Sequence, residues 1–272
     1  MPEPTPTVQQ LLAFYLEAGV DCALGDEPIN RLADPDAAPP PREAVVREAP
    51  PKAPFQSAPA VPPPRPDATM APEAAIGSAR ELARTAPTLE ELRALLENFD
   101  GCALRHTATR LVFADGNPQA RIMFVGEAPG RDEDIEGLPF VGRSGKLLDL
   151  MIAAIGLDRT SAYIANVIPW RPPGNRTPTP QETQICLPFT LRQIELANPD
   201  LLVCLGGPSS QTLLGVKDGI KRTRGRWFTF HTGTREIRAI ATFHPAYLLR
   251  SPLEKRFAWR DLLAIRKALD AS

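Results

Sequence analysis

The sequence has almost no surplus of either charge: 31 lysines and arginines stand against 32 aspartates and glutamates, a formal net charge of −1. That balance excludes a chain-wide electrostatic attraction for nucleic acid, so any DNA-binding surface must be a local patch. Long apolar runs are missing too. No stretch approaches the roughly 18 apolar residues of a membrane-spanning helix, and the N-terminus has no basic start followed by an apolar segment. The expectation is a cytoplasmic protein with no membrane partner. Cysteine is scarce, with Cys22, Cys102, Cys186 and Cys204 the full set. They are spaced too widely for a disulfide framework in a chain of 272 residues, which leaves buried thiols or remnants of a metal site.

Hydrophobic residues at 43% and charged residues at 23% are ordinary for a globular chain. Proline is abundant, with 31 residues against a usual share of about 5%. Thirteen of them fall in residues 34–72, among alanines and scattered charges and with no apolar period. The chain therefore divides into an N-terminal segment (1–33), a Pro/Ala-rich disordered linker (34–73) and a folded domain (74–272). In the first segment Leu11, Leu12, Tyr15, Leu16 and Val20 recur at helical spacing behind Thr7, an N-cap candidate. This amphipathic helix on a leash is either the end of a simple spacer or a docking peptide for another protein.

The folded part alternates two patterns. Apolar strand candidates lie at 121–125, 162–168, 201–205 and 237–243, and helical patterns at 75–98, 144–156, 180–197, 208–214 and 253–270. Alternation of this kind predicts right-handed crossovers. The expected fold is a three-layer α/β/α sandwich on a central, mainly parallel four-stranded sheet, with functional residues in the loops after the strands' carboxyl ends.

The motifs fall in those loops. Gly126-Glu127-Ala128-Pro129-Gly130 follows the first strand and runs on through Arg131-Asp132-Glu133-Asp134 to Gly137-Leu138-Pro139-Phe140-Val141-Gly142-Arg143-Ser144-Gly145-Lys146. A P-loop would need glycine where Phe140 stands and Ser or Thr where Leu147 stands, and the dinucleotide fingerprint fails as well. Asn166 ends the second strand, Trp170-Arg171-Pro172-Pro173-Gly174-Asn175-Arg176-Thr177-Pro178 follows it, and His244-Pro245-Ala246-Tyr247-Leu248-Leu249 follows the last. In this order, over about residues 100–268, these motifs resemble the uracil-DNA glycosylase superfamily, specifically its family 4.

The resemblance implies a monofunctional hydrolase of DNA repair that releases uracil from DNA and leaves an abasic site. No lysine occupies a motif position suited to lyase chemistry. Uracil inside a duplex is out of reach, so the nucleotide must be turned out into a pocket while a wedge props the gap. Leu248, Leu249 and Arg250 are candidates for that wedge. Gly126, Ala128 and Gly130 would border the base, Phe140 would stack on it, and Asn166 would tell uracil's edge from cytosine's with its amide. His244 would donate to uracil O2 as charge develops there, acting as a neutral imidazole. Glu127 is the nearest carboxylate, able to orient a water, stabilise the cationic sugar or shape the pocket. Asp132, Glu133 and Asp134 read as a solvated acidic turn, with one of them a candidate to join the site. Arg143, Ser144, Lys146, Arg171 and Arg176, with Lys221, Arg222, Arg224 and Arg226, would form the local basic patch on phosphates, although any one arginine reads equally well as a surface charge.

Family 4 members typically hold a four-iron cluster on four cysteines. Here Cys102 matches the second ligand, while Phe99 stands at the first position and Trp170 at the third, leaving Cys102 and Cys186 as residual cluster-position cysteines. The expectation is that the cluster is absent, with no metal and no external cofactor, and that aromatic packing replaces it. Zinc held by Cys102, His106 and Cys186 would lack a fourth ligand, and a Cys102–Cys186 disulfide does not suit the cytosol. The remaining expectations are a monomer of bacterial type acting at the nucleoid on single- or double-stranded uracil-containing DNA. Two rivals stand beside the enzyme: a tight uracil or abasic-DNA binding protein with poor turnover, and an adaptor working through its N-terminal helix and linker.

Overall fold

The computed structural model describes residues 72–271; the N-terminal helix, the proline-rich linker and Cys22 lie outside the described residues. The helical signals over 75–98 resolve into α1 (Pro72–Thr85) and α2 (Leu89–Asn98). Pro87 has no N–H to continue the first helix, and Thr88 starts the second by accepting the Glu91 N–H on its side chain. The small face of α1, Ala75, Ala79 and Ala83, is buried. A short helix, α3 (Leu104–Thr107), precedes the sheet.

The sheet has six strands: β1 (Asp115–Gly116), β2 (Ile122–Gly126), β3 (Tyr163–Asn166), β4 (Leu201–Leu205), β5 (Trp227–His231) and β6 (Glu236–Thr242), in the order β1-β3-β2-β4-β6-β5. The four strands legible in the sequence form its parallel centre, and β1 and β5 extend it antiparallel at the two edges. Every residue of β2, β3 and β4 is buried, as expected of parallel strands covered on both faces. The edge strand β5 is half exposed, so no continuous apolar run marks it.

Between the strands run α4 (Arg131–Glu136), α5 (Arg143–Ala153), α6 (Pro180–Ala197), α7 (Gly207–Leu214) and α8 (Ile220–Thr223), and after β6 come α9 (Pro245–Arg250) and α10 (Lys255–Asp270). One core cluster joins the sheet to α1, α2 and α6 through Leu92, Phe189 and Ile194. A second joins the opposite face to α5 and α10 through Leu148, Ile152 and Leu262. Each fully buried side chain of this size contributes roughly 1.5–3 kcal/mol, and the two clusters make the three layers. Among the described residues no helix is long and apolar enough to cross a membrane.

Strand order decides where a site can form. The chain leaves β2 for β3 on one side and then returns to β4 on the other, and a crevice opens at such a reversal, above the carboxyl ends. Register does the rest. Gly126 pairs with Asn166, and Leu205 pairs with Thr242, two residues before His244. The motif ends are thereby brought side by side.

Candidate active site

A cavity of about 640 Å³ lies above these strand ends, lined by Glu127, Ala128, Gly130, Glu133, Phe140, Ser144, Asn166, Arg176, Gly206, His244, Tyr247 and Arg250, among others. Gly126, at the end of β2, is not among the lining residues but lies against two that are. A Cβ on Gly126 would fall 2.4 Å from Asn166 Oδ1 and 2.6 Å from the Phe140 ring, so only glycine lets the amide and the aromatic ring converge. Asn166 is buried, and its Oδ1 has no hydrogen-bond partner among the described residues. An unpartnered buried acceptor is unfavourable unless a ligand satisfies it.

Phe140 is buried with its ring centroid 5.4 Å from that of His244. Its backbone lies in the left-handed region at φ 55°, which is uncommon for a bulky residue. Gly145, at the first turn of α5, makes room for it: a Cβ there would sit 1.7 Å from the Phe140 carbonyl oxygen.

His244 caps α9, and its Nδ1 accepts the Ala246 N–H at 3.1 Å. In the neutral ring the proton therefore sits on Nε2. Burial, and next the charge of Arg250, push its pKa down to about 4, so the imidazole is neutral across the physiological range. Gly206, with φ 94°, leaves space for this residue, since a Cβ there would lie 3.0 Å from His244 Cβ. Glu127 is half-buried on the cavity wall, and burial raises its pKa above the usual carboxylate value.

The acidic turn is not solvated as the sequence suggests. Asp132 is exposed, but Glu133 and Asp134 are buried because each satisfies orphan backbone donors. Glu133 accepts the N–H groups of Gly130, Val141 and Gly142 at 3.0–3.1 Å and lines the cavity. Asp134 accepts the N–H of Thr109 and of Arg110 and lies 3.8 Å from Arg171.

The predicted DNA-facing residues divide. Arg143, Ser144, Leu249 and Arg250 line a second hollow beside the first, and Ser144, Arg176 and Arg250 also reach the main cavity. Lys146 is exposed outside both. Arg176 is held by Glu182, and Arg171 donates to Asn175. Lys221 and Arg226 sit near Glu254 and Asp218, 3.6 Å away in each case, and Arg222 is exposed. Two assignments need correction. Leu248 is only 1% exposed and belongs to the core beneath α9, so of the leucine pair only Leu249 faces outward. Arg224 is no phosphate ligand: its guanidinium pairs with buried Asp261, donates to the Phe257 carbonyl and lies over the Phe243 ring. Sequence reading missed Gly206 and Tyr247 as lining residues, and of the three acids from which it drew one candidate, Glu133 is the one that lines the cavity. The glycine pair Gly206-Gly207 directly after the β4 run was a signal for the first, of the same kind as Gly126.

In the core cluster that joins the sheet to α1, α2 and α6, Cys102 and Cys186 are buried with Sγ atoms 3.9 Å apart. Phe99 and Trp170 are buried as well, with Phe99 edge-on to Phe189 at 5.1 Å. Among the described residues no three His, Cys, Asp or Glu side chains gather as a metal site.

The family model described as the uracil DNA glycosylase superfamily matches residues 113–263. The Type-4 uracil-DNA glycosylase of Archaeoglobus fulgidus is 44% identical over 155 residues, which is 56% of this chain and 78% of that protein. The protein of the same name from Thermotoga maritima is 43% identical over 169 residues, 60% of this chain and 86% of its own length. That from Sulfurisphaera tokodaii is 38% identical over 185 residues, 66% and 84% of the two chains.

Proposed function

The chain belongs to the uracil DNA glycosylase superfamily, and on that premise we propose how it excises uracil from DNA: by hydrolysing the glycosidic bond of a nucleotide turned out into the cavity above β2. The observation that carries this reading is the convergence of three side chains in that cavity. Phe140 supplies an aromatic face, Asn166 a buried amide with an unused acceptor, and His244 a neutral ring whose Nε2–H is unengaged by its cap bond.

The uracil ring stacks on Phe140. Its N3–H donates to Asn166 Oδ1, and its O4 accepts from the same amide, a pairing that cytosine's amino group disrupts. As the bond between C1′ and N1 breaks, its electron pair passes to the base and charge accumulates on O2. The Nε2–H of His244 donates to that oxygen, an interaction that is strongest in the transition state. Water adds to C1′ and loses a proton. Glu127, a carboxylate of raised basicity, accepts that proton or faces the cationic sugar. Arg143, Ser144, Arg176 and Arg250 hold the flanking phosphates, and Leu249 fills the vacated stack.

We also propose that no four-iron cluster is held here. The residues do not fit one: two buried thiols occupy two of the four positions and buried aromatic rings stand at the other two. Apolar packing of Phe99 and Trp170 holds the loops instead, and purified protein is expected to be colourless and iron-free. We further infer a monomer acting in the cytoplasm, with residues 1–73 as a tether that the chemistry does not use.

The test is incubation of the protein with uracil-containing and matched thymine-containing oligonucleotides, followed by alkaline cleavage at abasic sites. Multiple turnovers on uracil and none on thymine are expected. A single stoichiometric burst would favour the binding protein with poor turnover, a reading that the names of the relatives do not favour. Undiminished release after joint Asn166→Ala and His244→Gln substitution would remove this cavity as the site.

A further inference from the structure

We propose that Arg159 is a positioning residue for the base pocket, holding the backbone of Phe140 from behind so that the ring stays beside Asn166 and His244. Arg159 lies in the loop between α5 and β3 and is not among the residues that line the cavity. Its Nη1 donates to the Pro139 carbonyl at 3.1 Å, and its Nη2 donates to the Phe140 carbonyl. Two carboxylates orient the guanidinium, Asp115 of β1 at 2.5 Å and Asp149 of α5 at 2.8 Å. The side chain is only 25% exposed.

The need for such a clamp follows from the backbone it grips. Phe140 sits in the left-handed region, a conformation that a bulky residue keeps only when its surroundings impose it. Gly145 permits that conformation by leaving room for the carbonyl, but room alone does not hold it there. A forked, fixed array of donors does: one guanidinium satisfies two successive carbonyls and two carboxylates, which a single ammonium cannot match. Because β1 pairs with β3, and β3 ends in Asn166, the same residue also ties the aromatic loop to the strand carrying the base reader.

This inference rests on Phe140 being the ring that stacks on the base, so the test separates the two. Single-turnover excision from a uracil-containing oligonucleotide, and inhibition by free uracil, would be measured on the full chain for Arg159→Lys, Arg159→Ala, Phe140→Ala and the combination of Phe140→Ala with Arg159→Lys. Arg159→Lys keeps a charge against both carboxylates and so guards against simple unfolding, which thermal melting checks. Its excision rate is expected to fall about tenfold with KM changed less than about twofold, and uracil inhibition to weaken by a similar factor, because a small misplacement of a reacting partner has effects of this order. In the Phe140→Ala background the same substitution is expected to add less than about twofold, since it has no ring left to place. Multiplying effects in the combined variant, or wild-type rate and inhibition in both Arg159 variants beside a defective Phe140→Ala, would sink the inference alone. A wild-type rate in Phe140→Ala would sink the stacking role and the inference with it.

Discussion

A neutral imidazole suits the role given to His244 because it donates from Nε2 without the cost of burying a charge, and that donation strengthens as charge builds on O2. With a pKa of about 4 against about 6.5 in an unfolded chain, His244 binds a proton in the unfolded state first. The sign follows: stability falls as pH drops from about 6.5 toward 4, and the neutral donor survives throughout that window. Excision should therefore show no acid limb at the ordinary histidine value. The limb that appears should belong to Glu127, above the usual carboxylate range, and should disappear in Glu127→Gln, whose overall rate is lower. A pH–rate profile of the two proteins decides this. Asn166→Ala should separate function from stability: excision drops by roughly 100-fold, while Tm holds or rises, because the lost Oδ1 was an unpartnered buried acceptor.

Between elements, buried polar staples hold the loops that carry the site. The Arg224–Asp261 pair joins the segment before β5 to α10, and Asp261 also accepts from Thr242 at 2.8 Å, at the end of the strand leading to His244. Asp261→Ala leaves the guanidinium uncompensated, and a loss of about 3–5 kcal/mol in denaturant unfolding is expected. A substitution that adds bulk rather than removing charge should do comparable harm at the start of α5. Gly145→Ala would drive a Cβ into the Phe140 carbonyl, so both Tm and excision should fall. Unchanged melting would mean that this turn is softer than its contacts indicate.

For the whole molecule, two consequences can be measured directly. Removing residues 1–71 should leave excision of uracil from short oligonucleotides within about twofold, since the described residues that line the cavity carry the proposed chemistry and separate segments contribute independently. The parallel centre of the sheet was legible because β2, β3 and β4 are buried along their length and apolar but for the Asn166 that ends β3, and stand at the spacing of βα units. The antiparallel edges were not. β1 has two residues and β5 is half exposed, so neither carries a buried face that composition could reveal. Phe140, Asn166 and His244 were readable because they stand in motifs whose order resembles a known family, near the carboxyl ends of strands. Arg159 was not, because nothing local marks an arginine whose partners lie 10 to 44 residues away.

What the sequence by itself determined is the set of chemical groups and their order: an α/β alternation, a glycine turn, an amide and an imidazole at strand ends, and Phe99 and Trp170 where the resemblance would place two of four cysteines. The tertiary structure alone decided which of the many charges line the cavity and which are tied up within the fold. Arg224, Asp134 and Arg159 look like surface charges in the chain but are held inside by partners from distant segments, and Glu133 by backbone donors of the turns on either side of it. The physical reason is that apolar periodicity is a local property of the sequence. The pairing of a buried charge depends on which backbone donors and carboxylates the sheet order and register bring within hydrogen-bond reach.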